Sequence, residues 1–221
     1  MCFSASASLI AGTALSAAGV VTIKKTKKKA DLPFAMTPLL FGIQQLIEGF
    51  VWLSFSWQSG ILNTVMTYAF SLFASVVWPI FVPFAIGLLE TEPWRKKILH
   101  VFQIIGVVVG GYLAYSHTLS PVTSEIINKS IVYNNSHFYI LWVLGFYFAA
   151  TIVSCFFSSK RIINIFGILA LLAALTAYWF YSVSFVSVWC FFAAILSFIV
   201  YLYFRREESA KDHQLPQIHN L

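Results

Sequence analysis

Apolar residues in this sequence come in blocks of about 20, the length an α-helix needs to cross a hydrocarbon layer of about 30 Å, and these blocks take up most of the chain. Seven can be marked, over residues 2–23, 32–55, 61–89, 98–117, 137–157, 162–181 and 185–204. Of the 221 residues, 59% are hydrophobic and 10% charged, whereas soluble domains are about a quarter charged. A water-soluble enzyme is excluded. The expected fold class is all-α: a polytopic membrane protein whose residues 1–206 form a bundle of seven transmembrane helices, followed by a polar tail over 207–221. The third block is longer than one perpendicular crossing and holds Pro79 and Pro83, so it is read as one tilted or kinked helix rather than two spans.

The charges set the topology. All but one of the 14 Lys and Arg residues follow the first, third, fifth or seventh block, as Lys24–Lys29, Arg95–Lys97, Lys160–Arg161 and Arg205–Lys211; Lys129 is the exception. Basic residues beside short loops stay in the cytoplasm, which predicts an external N-terminus, an internal C-terminus and an external loop over 118–136. In a bacterium this is the inner membrane. The same clustering excludes nucleic-acid binding as the reading of the net charge of +6, since no continuous basic face results. The first block is not read as a cleavable signal peptide, because its positive residues come after the apolar stretch rather than before it. No inverted repeat of the transporter kind is evident.

Small residues recur at helical spacing. Ser4, Ser8, Gly12 and Ser16 share one face of the first helix, and Gly106 and Gly110 one face of the fourth; both are expected to be close-packing surfaces. Trp52, Trp57, Trp179 and Tyr181 at one side, and Trp94 and Tyr203 at the other, are expected as interfacial anchors.

Few residues are left to carry chemistry. Glu48 lies well inside a span, with Gln44 and Gln45 on the same helix face; a carboxylate there must be paired, protonated or in a wet cavity. His117 and His137 end and begin their spans at the external face, and Cys2 starts the chain at that level. Thiolate, imidazole and carboxylate match the donor preferences of zinc or copper, so Cys2, Glu48, His117 and His137 are candidate metal ligands, although no CxxC, HExxH or HxxxH motif is present. Loss of Met1 would leave Cys2 with a free amine beside its thiol, a chelator or a nucleophile with its own base. Glu48 and Cys2 are thus the candidate catalytic residues. Gln44, Gln45 and Tyr68, with Ser71 and Ser75 nearby, are candidate substrate-binding residues. Cys155 and Cys190 stand alone in apolar spans and read as small hydrophobes.

The opening Met1-Cys2-Phe3-Ser4-Ala5, with Leu32-Pro33-Phe34-Ala35, Pro38-Leu39-Leu40-Phe41 and Gln44-Gln45-Leu46-Ile47-Glu48-Gly49, resembles a family of mainly bacterial multi-pass membrane proteins that begin Met-Cys-Phe-Ser-Ala. The resemblance is concentrated in the first 50 or so residues. It implies membership and an emphasis on Cys2, Gln44, Gln45 and Glu48, but no reaction. Seven helices with an external N-terminus are also similar to the alkaline ceramidase and adiponectin receptor hydrolases, but the seventh block lacks their His pair. The same block has no Lys for a retinal Schiff base.

Three functions remain open at this point. The first is a membrane-embedded, metal- or thiol-dependent enzyme acting on a lipid or small amphipathic substrate near the external face. The second is a transporter or small-molecule receptor with a polar intramembrane pocket. The third is a structural protein that assembles with a membrane partner or with its own copies.

Overall fold

Ser4 starts the fold: its Oγ accepts from the Ala7 N–H at 3.3 Å and caps α1 (Ala5–Lys25). A computed structural model describes the backbone of residues 4–212 and the side chains of residues 4–205. After α1 come α2 (Thr37–Ser56), α3 (Gly60–Leu89), α4 (Pro93–Leu119) and a hairpin of β1 (Thr123–Ile127) and β2 (Ser130–Asn134). The chain ends in α5 (Leu141–Thr151), α6 (Arg161–Phe180) and α7 (Phe185–Asp212). Six helical stretches are long and apolar enough to cross a membrane, and Leu141–Phe157 is a shorter apolar one. The fifth block is therefore the least regular. Residues 137–140 form turns rather than the start of a helix, and beyond Thr151 the chain tightens into a 3₁₀ segment, Val153–Phe157.

The helices lie antiparallel in sequence order, so the basic clusters gather at one end of the bundle. There Phe34 meets Phe204, with ring centroids 6.3 Å apart, and the Glu90 carboxylate joins two loops. Glu90 Oε1 accepts from the Thr91 and Glu92 N–H groups at 2.9 and 3.0 Å, and Oε2 accepts from the Ser159 N–H at 2.6 Å. Burial alone would raise the pKa of this carboxyl, but the donors from Glu92, Ser159 and Thr91 outweigh it and hold the group below its ordinary 4.5.

Close packing follows the small residues. The most extensive helix contact is between α1 and α2, where a Cβ on Gly12 would lie 2.8 Å from the Leu46 backbone nitrogen, and one on Gly42 2.5 Å from Ser16 Oγ. Gly19 meets the Leu39 backbone in the same way. The expected stripe is a packing surface and runs on past Ser16 to Gly19; Ser4 serves as the cap instead. In α4, Gly106 faces the Pro79 carbonyl and Gly110 the Val76 carbonyl of α3, as the second stripe predicts.

The reason lies in α3. It is one continuous helix with a π-turn over Phe73–Val77. Pro83 has no N–H to offer the Pro79 carbonyl four residues back, and Gly106 places its backbone directly over that oxygen. Gln103 Nε2 donates to the next carbonyl, Ile80, at 3.2 Å. Tyr147 of α5 donates to the Ala74 carbonyl within the π-turn at 2.5 Å. The irregular stretch around the two prolines is thus tied to neighbouring helices through its backbone carbonyls.

The hairpin was not foreseen in the loop over 118–136. Asn128 and Lys129 take positive φ of 49° and 61°, the paired left-handed geometry of a two-residue hairpin turn. Its second strand is buried at Ile131, Val132 and Tyr133. Tyr133 stacks on Phe70 of α3 at 4.2 Å, while Ser124 bonds to Asn63 and Thr67. The sheet closes the end of the bundle opposite the basic clusters.

Two outcomes are expected. Gly106→Ala forces a methyl onto the Pro79 carbonyl and should cost about 2 kcal/mol or more, read as a lowered melting temperature in detergent, whereas Gly111→Ala, with open space around it, should be near neutral. Glu90→Gln should cost roughly 1–3 kcal/mol. Because the folded-state value of Glu90 is depressed, the wild type's margin over this variant should be full above pH 4.5 and shrink as pH falls below it.

Candidate functional site

One face of α2 carries the polar residues inward. Gln44, Gln45 and Glu48 are all fully buried, at 0% exposure, because the opposite side of the helix is sealed against α1 by the glycine contacts while these three turn toward α3 and α7. Spacings of three and four residues stack them along one stripe.

Glu48 is held by neutral groups. Its Oε1 accepts from Ser187 Oγ of α7 at 2.5 Å, and its Oε2 accepts from Gln45 Nε2 at 3.3 Å. Among the described residues no Lys, Arg or His is bonded to it. Gln44 Oε1 accepts from the Trp78 indole Nε1–H at 2.7 Å, and Trp78 stacks on Phe41 with centroids 3.8 Å apart. Trp78 is the first residue beyond the π-turn, so the bulge in α3 positions the indole toward α2. Cys190, one turn beyond Ser187 on α7, lies beside Gln44.

Hydrogen-bonding capacity is left over here. Gln45 Oε1 is buried and makes no hydrogen bond with the described residues, and Gln44 Nε2 has only the Cys190 thiol beside it. Trp78 and Cys190 also line an apolar cavity of about 60 Å³, which continues past Tyr147 toward Thr37, Phe34 and Cys155 at the basic end. A polar cluster with spare donors and acceptors thus adjoins a small aromatic chamber. Ile131 and Tyr133 of the hairpin belong to the same apolar cluster as Val51 and Cys190, which places the lid directly above it.

The remaining sequence candidates lie elsewhere. His117 Nε2 accepts from Asn135 Nδ2 at 2.9 Å, and its ring stands edge-on to Tyr68 at 6.4 Å. Tyr68 is turned to the hairpin, its hydroxyl accepting from the Val122 N–H at 3.3 Å. His137 shares a hydrogen bond with the Tyr112 hydroxyl at 3.0 Å. Ser75 donates to the Ser71 carbonyl within its own helix. Cys2 lies outside the described residues. Among the described residues no three His, Cys, Asp or Glu side chains gather around a position for one metal ion; Glu48, His117 and His137 keep separate partners.

Sequence reasoning missed Trp78 and gave Cys190 no role. The signal for Trp78 was its place next to Pro79, where a helix irregularity re-aims a side chain. For Cys190 it was the three-residue spacing from Ser187, which puts both on one face of α7.

Comparison with curated proteins and with solved structures returns no match. A family model, described as a family of unknown function (DUF6629), matches residues 1–214, so the likeness noted for the first 50 or so residues extends through every helix of the bundle. The chain belongs to that family, DUF6629.

Proposed function

We propose that this is a seven-span integral membrane protein of the bacterial inner membrane, with its N-terminus outside and C-terminus in the cytoplasm, and that it is a receptor or carrier for a small amphipathic molecule bound inside the helix bundle. The gathering of the basic residues at one end supports the orientation. The fifth span is Leu141–Phe157, short enough to need local thinning of the bilayer or snorkelling residues at its ends.

The observation that carries the ligand reading is the fully buried Gln44, Gln45 and Glu48 stripe with unused hydrogen-bonding atoms next to an aromatic-lined cavity. Buried polar atoms without partners are costly, and a bound head group satisfies them. The Glu48 carboxyl favours a protonated amine as that head group, with Phe41, Trp78 and Trp189 providing faces that favour cations. The cavity of about 60 Å³ limits the apolar part to a few carbons. Pocket binding is preferred over a zinc or copper enzyme because it uses residues that stand together, whereas Glu48, His117 and His137 keep separate partners.

Two measurements test this. In intact cells, with Cys2→Ser as background, Lys129→Cys should react with a membrane-impermeant maleimide and Lys97→Cys only after lysis; the reverse pattern overturns the orientation. In detergent, primary alkylamines of increasing length should raise the melting temperature up to a short optimum, and the matching alcohols should do so less. Glu48→Gln keeps the size of the side chain and one accepting oxygen but should weaken amine binding by roughly tenfold or more, about 1.4 kcal/mol per factor of ten. Equal amine binding by wild type and Glu48→Gln overturns the reading.

A further inference from the structure

A second recess lies on the outside of the bundle, between α3 and α4 at the basic end. It is an open groove of about 710 Å³. Its α3 wall is apolar: Phe84 and Leu88 are 46% and 39% exposed, and Gly87 between them contributes no side chain. Its mouth is basic, with Lys96, Lys97 and His100 exposed along the first turns of α4.

The groove exists for reasons of local chemistry. A Cβ on Gly87 would meet only the Leu99 side chain, at an ordinary 3.9 Å, so the glycine leaves space rather than filling a contact. The Lys96, Lys97 and His100 side chains have no hydrogen-bond, ion-pair or ring partner among the described residues. The nearest buried acid, Glu90, spends both carboxylate oxygens on the N–H groups of Thr91, Glu92 and Ser159, and is therefore not a counter-ion for them. Trp94, 53% exposed with the Arg95 guanidinium 4.8 Å from its ring centroid, marks the level of the membrane boundary beside the same mouth.

We infer that this groove binds one anionic phospholipid of the cytoplasmic leaflet, its phosphate at Lys96, Lys97 and His100 and an acyl chain along Phe84, Gly87 and Leu88. Charge complementarity selects the head group, and the apolar wall continues it into the hydrocarbon layer, which a free phosphate would leave unused. Basic recesses between helices on this side of a membrane suit such head groups, at about 1 kcal/mol per basic residue near the surface. The inference rests on the membrane orientation proposed above but not on the ligand of the buried pocket.

Native mass spectrometry of the full chain, released from detergent after incubation with equal amounts of phosphatidylglycerol and phosphatidylcholine, tests it. The wild type should retain one phosphatidylglycerol in preference to phosphatidylcholine. Removing the three charges together (Lys96→Ala, Lys97→Ala, His100→Ala) should reduce that retention by roughly tenfold or more. Gly87→Trp, which fills the groove without altering charge, should reduce it as well. The triple change Lys27→Ala, Lys28→Ala, Lys29→Ala removes charge at the same end outside the groove and should leave retention unchanged. Equal losses in both triple variants would overturn the proposal in favour of diffuse surface charge. Wild-type retention by Gly87→Trp, or full displacement by inorganic phosphate at millimolar levels, would reduce the site to a phosphate contact with no chain. A reversed maleimide pattern at Lys129→Cys and Lys97→Cys would remove the membrane orientation itself, whereas unselective retention in correctly oriented protein removes only the lipid site.

Discussion

Peptide groups in a hydrocarbon layer have no water to bond to, so each one must find its partner within the protein. In α3 the chain meets this condition in a costly place. Proline at 79 and 83 removes donors, the π-turn shifts the register, and carbonyls are left facing outward from the helix. Two side chains supply donors, Gln103 to Ile80 and Tyr147 to Ala74, and Gly106 packs its backbone against the Pro79 carbonyl. These contacts lock α4 and α5 to α3, and they fix the rotation of Trp78. The orientation of the buried polar stripe depends on that rotation, because Gln44 accepts from the Trp78 indole.

Glu48 presents the same condition in a side chain. A structural carboxyl would be expected to have its donors matched to its acceptors, as at Glu90, where both oxygens take backbone donors at a loop junction. At Glu48 the pattern is less complete. Ser187 and Gln45 reach the carboxyl, yet Gln45 Oε1 remains unused beside it and Gln44 Nε2 meets only a thiol. The contrast between the two acids, one fully matched and one surrounded by surplus hydrogen-bonding capacity, is the physical basis for treating only the second as a site.

Much of this architecture could be read from residue order. The spans follow from the thickness of a bilayer, the irregular stretch of α3 from Pro79 and Pro83, and the close contacts from glycines spaced along α1 and α4; each depends on properties local to one segment. The polar stripe was legible too, since Gln44, Gln45 and Glu48 lie within one turn or so of one another. What was not legible depended on rotations between helices distant in sequence. Ser187 and Cys190 meet Gln44 and Glu48 across more than 130 residues, and nothing in either segment specifies that angle. His117 and His137 share a level in the membrane, but level does not bring side chains together, and each turned to a nearer partner. The hairpin escaped because its five-residue strands are short and its turn, Asn128-Lys129, lacks the glycine that usually marks such a bend.

The hairpin also bears on how anything could reach the interior. With Tyr133 stacked on Phe70 and Ile131 packed beside Val51 and Cys190, the chamber has no open mouth toward the aqueous phase on that side. A route through the bilayer and between helices fits that closure. Occupancy would then follow the ligand's concentration in the lipid, which for an amphipathic compound exceeds that in water, so weak intrinsic binding could still keep the chamber filled.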